Sequence, residues 1–250
     1  MPDRIEALTW IVYATMAGGD VVIDDVPFAD MEIPLVHLRT AGLDYFSNSR
    51  SVYVTSEPAG PTNLQPFEVA CGTHPGVVSD MQPFYVMLAL VANGRSLIVD
   101  YRYPERTAYL EQLSRFVPGA LEWSPGRIRV QGKAHFKAAT ADSTDLRGSM
   151  ALVMAALLAE GTSTVNGVEM ALRGYDGLAG KLQKLGIKLW VNGTLKQEFN
   201  TDDMAHKIAR CIEWVSHCHT LEPGDILATG TNHRGLSSFQ HGDTVELATQ

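Results

Sequence analysis

From its N-terminus the chain alternates helical stretches that are apolar on nearly every side with short β-branched runs. Asp3-Arg4 leads into a helix carrying Leu8, Ile11, Val12, Thr15 and Met16, which stops at Gly18-Gly19 before a strand at Val21-Val22-Ile23. A second helix is expected over residues 30–41, closed by Gly42. The same order returns from Asp80: a helix through Phe84, Leu88 and Val91 that stops at Asn93-Gly94, a strand over 96–99 and a helix over 104–116. From Asp145 it returns again, with Met150, Val153, Met154 and Leu157 in the helix, a strand over 162–165 and a helix over 175–185 ended by Gly186. Self-similarity of this kind marks stacked supersecondary units.

The pattern predicts three units. Asp3 and Asp80 lie 77 residues apart, Asp80 and Asp145 lie 65 apart, and the Pro- and Gly-rich stretch 57–63 absorbs the difference. A helix apolar all round belongs in an interior, whereas an amphipathic one lies against a sheet. An α/β protein with sheets outside and helices inside is therefore expected. At each helix start an aspartate can accept free backbone N–H groups, and the glycines beyond the first helices suit left-handed C-caps. Capping is the simplest role for Asp3, Asp80 and Asp145.

Composition narrows the function. With 45% hydrophobic and 19% charged residues among 250, the chain reads as an ordinary globular protein. Its net charge of −8 argues against a nucleic-acid partner, and no apolar run is long enough to span a bilayer. Cys71, Cys211 and Cys218 form no even set and no Cys-x-x-Cys pair, so free thiols in a cytoplasmic setting are expected. His37, His74 and His135 lack ligand spacing, and His217 and His219 lie two apart, which diverges on a helix. Neither a metal nor another cofactor is expected.

Four strings then occur in order: Pro2-Asp3-Arg4-Ile5-Glu6; Ser79-Asp80-Met81-Gln82; Thr144-Asp145-Leu146-Arg147 with Leu157-Leu158-Ala159-Glu160-Gly161-Thr162; and Arg173-Gly174-Tyr175 with Lys181-Leu182-Gln183-Lys184-Leu185-Gly186. Together they resemble one lobe of the UDP-N-acetylglucosamine enolpyruvyl transferases, over residues 1–189. The resemblance implies an inside-out α/β lobe of three βαβαββ-type units, the arrangement of the shikimate-pathway enolpyruvyl transferase. It also implies transfer of the enolpyruvyl group of phosphoenolpyruvate to a UDP-sugar or related hydroxyl, with loss of phosphate, in a cleft between two lobes. Asp80 falls at the base position, Arg147 and Arg173 at positions that hold substrate anions, Arg106 is a further cleft residue, and Asp3 and Asp145 line the same cleft. Guanidinium groups suit that task because they match phosphate and carboxylate in geometry and charge. The family's other lobe, with its reactive cysteine, catalytic lysine and further arginines, has no counterpart here. The expected partners are thus a small anionic substrate and a complementary lobe in trans.

From Trp190 the text changes. Residues 190–197, Asn200-Thr201-Asp202-Asp203-Met204 and the run from Leu221 to Thr231 resemble the C-terminal part of the fumarylacetoacetate hydrolase family, over residues 190–250. A hairpin at Asn192-Gly193, a helix capped by Thr201, a strand after Pro223-Gly224 and a last strand after Gly242-Asp243 are expected. By resemblance Thr229, Gly230 and Thr231 border a substrate. That family's metal is held by carboxylates that include a Glu-x-Glu pair, and no such pair occurs in this chain. Residues 188–191 read equally well as the end of one family's strand and the start of the other's, without a linker, as in a recombined or truncated chain. Besides transfer from phosphoenolpyruvate, two readings remain: a non-catalytic composite that binds small anions, and a hydrolase or isomerase of keto acids.

Overall fold

Asp3 accepts the amide of Ile5 and starts α1 (Arg4–Ala17), which ends at Gly18 with a φ of 79°. The hydroxyls of Thr9 and Thr15 return to the carbonyls of Ile5 and Ile11, so this helix is buried on most sides without stranding a polar group. Beyond it, β1 (Gly19–Ile23), β2 (Tyr45–Ser47) and β3 (Val52–Ser56) form an antiparallel sheet in the order β1-β3-β2. The intervening α2 (Phe28–Thr40) is amphipathic, burying Met31, Leu35 and Leu38 and exposing Val36 and Arg39.

This computed structural model describes residues 3–56, 63–175, 178, 186–191, 194–200 and 245–249, and the chain divides into the units Met1–Asp176 and Gly177–Gln250. In the first unit the second repeat supplies β4 (Glu68–Ala70), a 3₁₀ turn at Ser79–Met81, α3 (Gln82–Val91), β5 (Arg95–Val99), α4 (Ala108–Leu113), β6 (Leu121–Ser124) and β7 (Arg127–Gln131). Its sheet runs β4-β5-β7-β6, with β4 parallel to β5 and the remaining pairs antiparallel. The third repeat gives β8 (Thr140–Asp142), α5 (Leu146–Leu158), β9 (Thr164–Asn166) and the short α6 (Glu169–Leu172), with β8 parallel to β9.

The helices α1, α3 and α5 pack against one another, and residues 82–90 of α3 and 147–155 of α5 are buried throughout. Helices fill the interior and the small sheets surround them, as the periodicity predicts. Each fully buried Phe, Leu or Met side chain here, among them Phe84, Leu88 and Met154, contributes about 1.5–3 kcal/mol by leaving water.

Two local expectations change. The helix expected from residue 104 starts at Ala108, because the amides of Arg102 and Tyr103 are drawn onto the Asp100 carboxylate and Arg106 N–H turns back to the Tyr103 carbonyl. Asp80 caps nothing, since it sits within a 3₁₀ turn and α3 begins behind Met81 without a side-chain cap. The helix expected over 175–185 and the Pro- and Gly-rich stretch 57–63 lie almost wholly outside the described residues.

In the second unit β10 (Gly186–Val191) pairs antiparallel with both β11 (Thr194–Asn200) and β12 (Val245–Thr249). Val191 opposite Thr194 is the register of the expected hairpin, and β12 is the expected last strand. The ladder between β10 and β11 slips once: Leu189 faces Gln197 but Trp190 faces Leu195, leaving Lys196 as a bulge. The helix expected after Thr201 and the strand after Pro223-Gly224 lie outside the described residues.

Candidate functional site

The three repeated aspartates are put to different uses. Asp3 Oδ1 accepts the Ile5 amide at 2.7 Å. Asp145 Oδ1 accepts the amides of Arg147 at 3.1 Å and Gly148 at 2.9 Å, and its Oδ2 accepts the Thr144 hydroxyl. Both are N-caps, a role worth about 1 kcal/mol. Asp80 is released from that role by its 3₁₀ turn and its carboxylate faces two guanidinium groups instead. Arg106 Nη1 donates to Oδ1 at 2.8 Å, and Oδ2 lies 3.6 Å from Arg147 Nε. The Asp80 side chain is 43% exposed, so a ligand can reach it.

Arg147 is the buried member, 9% exposed in the first turn of α5. Its Nη1 donates to the Gly174 carbonyl at 3.4 Å, and its guanidinium carbon stands 5.5 Å from the centre of the Tyr175 ring. Tyr175 is fixed in turn by a 2.9 Å hydrogen bond between its hydroxyl and that of Thr9 in α1. Burial pushes the Tyr175 hydroxyl up to about 12 against the opposing effects of Thr9 and Arg147, so the ring stays neutral and presents its negative face to the cation. Arg147 Nε is buried and has no hydrogen-bond partner among the described residues. A buried donor left unpaired beside a carboxylate oxygen 3.6 Å away leaves a gap that a ligand oxygen can close.

Arg106 lies in the loop ahead of α4, half-buried, with its guanidinium 5.1 Å from the Tyr103 ring centre. Burial alone lowers its affinity for a proton. The hydrogen bond and charge of Asp80, together with the charges of Asp145 and Asp100, outweigh that and raise it above the usual arginine value. Asp80, Arg106 and Arg147 together carry one positive charge, which the nearby carboxylates of Asp145 and Asp100 offset. What suits an anion here is the unpaired Arg147 Nε beside the first turn of α5, where a ligand oxygen can accept its N–H.

Other expected residues are placed less centrally. Arg173 follows α6 and is exposed; its backbone N–H donates to the Ala171 carbonyl, but its side chain makes no ion pair or hydrogen bond with a described residue, although the next carbonyl, that of Gly174, holds Arg147. Thr229, Gly230, Thr231, Cys211, Cys218, His217 and His219 lie outside the described residues. His74 accepts from Arg4 at 2.8 Å and lies 3.7 Å from Asp30. Cys71 is a free thiol that burial, aided by the Asp100 charge and opposed by Arg106, pushes up to about 12. No group of three His, Cys, Asp or Glu among the described residues has the geometry to hold a metal ion. Tyr175 and Tyr103 are the rings that seat Arg147 and Arg106; in the sequence Tyr175 stands in the fourth motif without a role of its own, and Tyr103 stands in no motif. Adjacency is a further signal, with Tyr175 two residues after Arg173 and Tyr103 three before Arg106.

Comparison with known proteins matches these residues to two families. The sequence model of EPSP synthase (3-phosphoshikimate 1-carboxyvinyltransferase) matches residues 1–182, and that of the fumarylacetoacetate hydrolase C-terminal region matches residues 152–250, so 152–182 fall to both. UDP-N-acetylglucosamine 1-carboxyvinyltransferase 2 of Bacillus anthracis is 31% identical over 203 residues, covering 79% of this chain and 45% of that relative. The UDP-N-acetylglucosamine 1-carboxyvinyltransferase of Streptococcus pneumoniae serotype 2 is 32% identical over 189 residues, covering 76% and 44%. The chain thus spans less than half the length of these relatives. Among solved structures, the enolpyruvyl transferase NikO from Streptomyces tendae superposes with a TM-score of 0.66 at 26% identity, over 73% of this chain and 42% of that one. EPSP synthase from Acinetobacter baumannii, at a TM-score of 0.50 and 12% identity over 66% of this chain and 38% of that one, shares the fold.

Proposed function

The chain belongs to the EPSP synthase family, and from that membership we propose that residues 1–189 form one wall of an enolpyruvyl transfer site, with residues 190–250 as a hydrolase-like appendage. The donor is phosphoenolpyruvate and the acceptor a hydroxyl of a UDP-sugar or a related molecule. Arg147, Arg106 and Arg173 hold the phosphate and carboxylate. Asp80 Oδ2, the oxygen without a guanidinium hydrogen bond, takes the proton of the acceptor hydroxyl as its oxygen bonds to C2 of the enolpyruvyl group. A proton is added at C3 in the same step. Cleavage of the C2–O bond to phosphate and loss of a proton from C3 then restore the double bond.

The observation that carries this reading is the divergence of Asp80 from Asp3 and Asp145. At equivalent helix starts two carboxylates are spent on capping, and the third is open and faces two arginines. Among the described residues we assign no donor for C3 and no opposing phosphate clamp, so turnover on this reading requires a second lobe. A non-catalytic composite that only binds anions is the second reading, favoured by the match of residues 152–250 to a different family. The keto-acid hydrolase reading ranks last because the Glu-x-Glu pair is missing.

Calorimetric titration with phosphoenolpyruvate at low salt tests the site. A single wall should bind with a millimolar Kd, about −4 kcal/mol, and the double substitution Arg147→Ala, Arg173→Ala should abolish it. Phosphate release with phosphoenolpyruvate and UDP-N-acetylglucosamine should stay at background for the chain alone. Binding that survives the double substitution refutes the site. Turnover by the chain alone that is sensitive to Asp80→Asn refutes the need for a second lobe.

A further inference from the structure

We infer that Asp100 is a positioning residue, a buried carboxylate that holds the turn of Asp80 and the loop of Arg106 in one fixed geometry. It follows the last residue of β5 and is 1% exposed. Its Oδ1 accepts the Ser79 hydroxyl at 3.1 Å and the backbone amides of Arg102 at 3.1 Å and Tyr103 at 3.2 Å. Its Oδ2 accepts from Gln82 Nε2 at 3.4 Å, and Gln82 Oε1 accepts the Tyr109 hydroxyl at 3.0 Å. No arginine or lysine among the described residues forms a salt bridge with Asp100. A carboxylate is costly to bury unless several donors meet it, and here they are neutral hydroxyl, amide and backbone groups.

The segments that supply those donors are the ones that carry the site. Ser79 immediately precedes Asp80. Arg102 and Tyr103 lead into Arg106, whose own amide donates to the Tyr103 carbonyl at 3.0 Å and whose guanidinium lies over the Tyr103 ring. Gln82 passes the connection to Tyr109, which packs against Gly148 next to Arg147: an added Cβ on Gly148 would stand 2.5 Å from Tyr109 Cβ. One carboxylate thus fixes the base turn and the Arg106 loop directly and reaches the start of α5 through two side chains. Its negative charge is also among those that keep Arg106 protonated. A pair of guanidinium groups discriminates an anion only if their separation is set in advance, and no other described side chain accepts hydrogen bonds from both Ser79 and the 102–103 backbone.

The proposal depends on the enolpyruvyl reading only for its ligand, so the test has an arm that needs none. Hydrogen exchange of the full-length chain, read by mass spectrometry, should rise at least tenfold in residues 79–82 and 101–107 of Asp100→Ala, with α1 unchanged. Asp100→Asn, whose amide oxygen still accepts from Ser79 and the two backbone amides, should restore wild-type exchange. In parallel, phosphoenolpyruvate affinity should fall about tenfold in Asp100→Ala and stay within about threefold in Asp100→Asn. Wild-type exchange in Asp100→Ala, or exchange in Asp100→Asn as fast as in the alanine variant, overturns the proposal. If the wild-type chain binds no phosphoenolpyruvate, the functional reading fails and the exchange arm alone decides the role of Asp100. If Asp100→Ala does not fold, Ser79→Ala takes its place: it should speed exchange in 79–82 and leave 101–107 protected, and no change in 79–82 overturns the proposal.

Discussion

Replacing Gly148 by alanine adds one methyl group to the first turn of α5. In an open helix that change stabilises by about 1 kcal/mol, because alanine outranks glycine in helix propensity. Here the new Cβ would stand 2.5 Å from Tyr109 Cβ, 2.6 Å from Asp145 Oδ2 and 2.9 Å from Tyr109 Cγ. Tyr109 is fully buried and the nearest atom is its Cβ, so no rotation of the side chain opens the space. Either α4 or the start of α5 must move. Overpacking of this kind costs about 1–3 kcal/mol. Pushing Asp145 aside loosens a cap worth about 1 kcal/mol more. Against the propensity gain, a net loss of about 1–3 kcal/mol is expected, and a loss of about 2 kcal/mol lowers the Tm by roughly 4–8 °C at this chain size. Thermal melting followed by far-UV circular dichroism measures it, with Gly72→Ala, which meets nothing within 4 Å, as the control that should not melt earlier. A Gly148→Ala chain that melts at or above the wild-type temperature refutes the packing argument and, with it, the contact that links Tyr109 to the seat of Arg147.

Two further outcomes follow from the chemistry of single groups. Cys71, with its thiol held up to about 12 by burial, should react with iodoacetamide far more slowly at pH 8 than after unfolding, as read on its own peptide by mass spectrometry. Because the folded thiol holds its proton above the ordinary value of 9.0, this group favours the native state below about pH 9, and that contribution should fade as the pH climbs toward 12. Mg²⁺ or Mn²⁺ should neither raise the Tm nor promote hydrolysis of a 2,4-diketo acid, since the carboxylate pair is missing from the sequence. A chelator-sensitive melting shift of several degrees would count against that.

The three-unit architecture was legible because an interior helix, apolar all round, leaves a pattern that no surface helix shares. The positions of α1, α3 and α5 follow from Asp3, Asp80 and Asp145 almost directly. What the aspartates do there was not legible. Whether a carboxylate caps or turns outward depends on whether the first turn is α-helical or 3₁₀, and at Asp80 that turn is tied to a residue of another element, Asp100, through Ser79. The same tertiary meeting delays α4 to Ala108, where the sequence pattern suggests an earlier start. Arg147 matched a family motif, but the Tyr175 ring it lies over is bonded through its hydroxyl to Thr9, 166 residues from Tyr175 in the chain, which no local periodicity encodes.

The slipped ladder of β10 and β11 has a bearing on where a strand tolerates a join. Side chains along a strand alternate with period two, so splicing two coding segments in frame still leaves an even chance that their alternations are out of step, and a one-residue slip would turn a whole strand inside out. The seam expected between Leu189 and Trp190 lies opposite a slip in the β10–β11 ladder, where Lys196 of β11 is unpaired, whereas the ladder of β10 with β12 runs through it unbroken. A bulge is the smallest device that resets phase, taking up one residue without ending the ladder, because the bonds across it are made by backbone groups common to every sequence. A crossover inside a strand can therefore preserve the sheet when neither parent's hydrophobic rhythm continues into the other. In an α-helix the same one-residue offset would rotate all later side chains by about 100°. Strands are in this respect the more forgiving place for genes to be cut and joined.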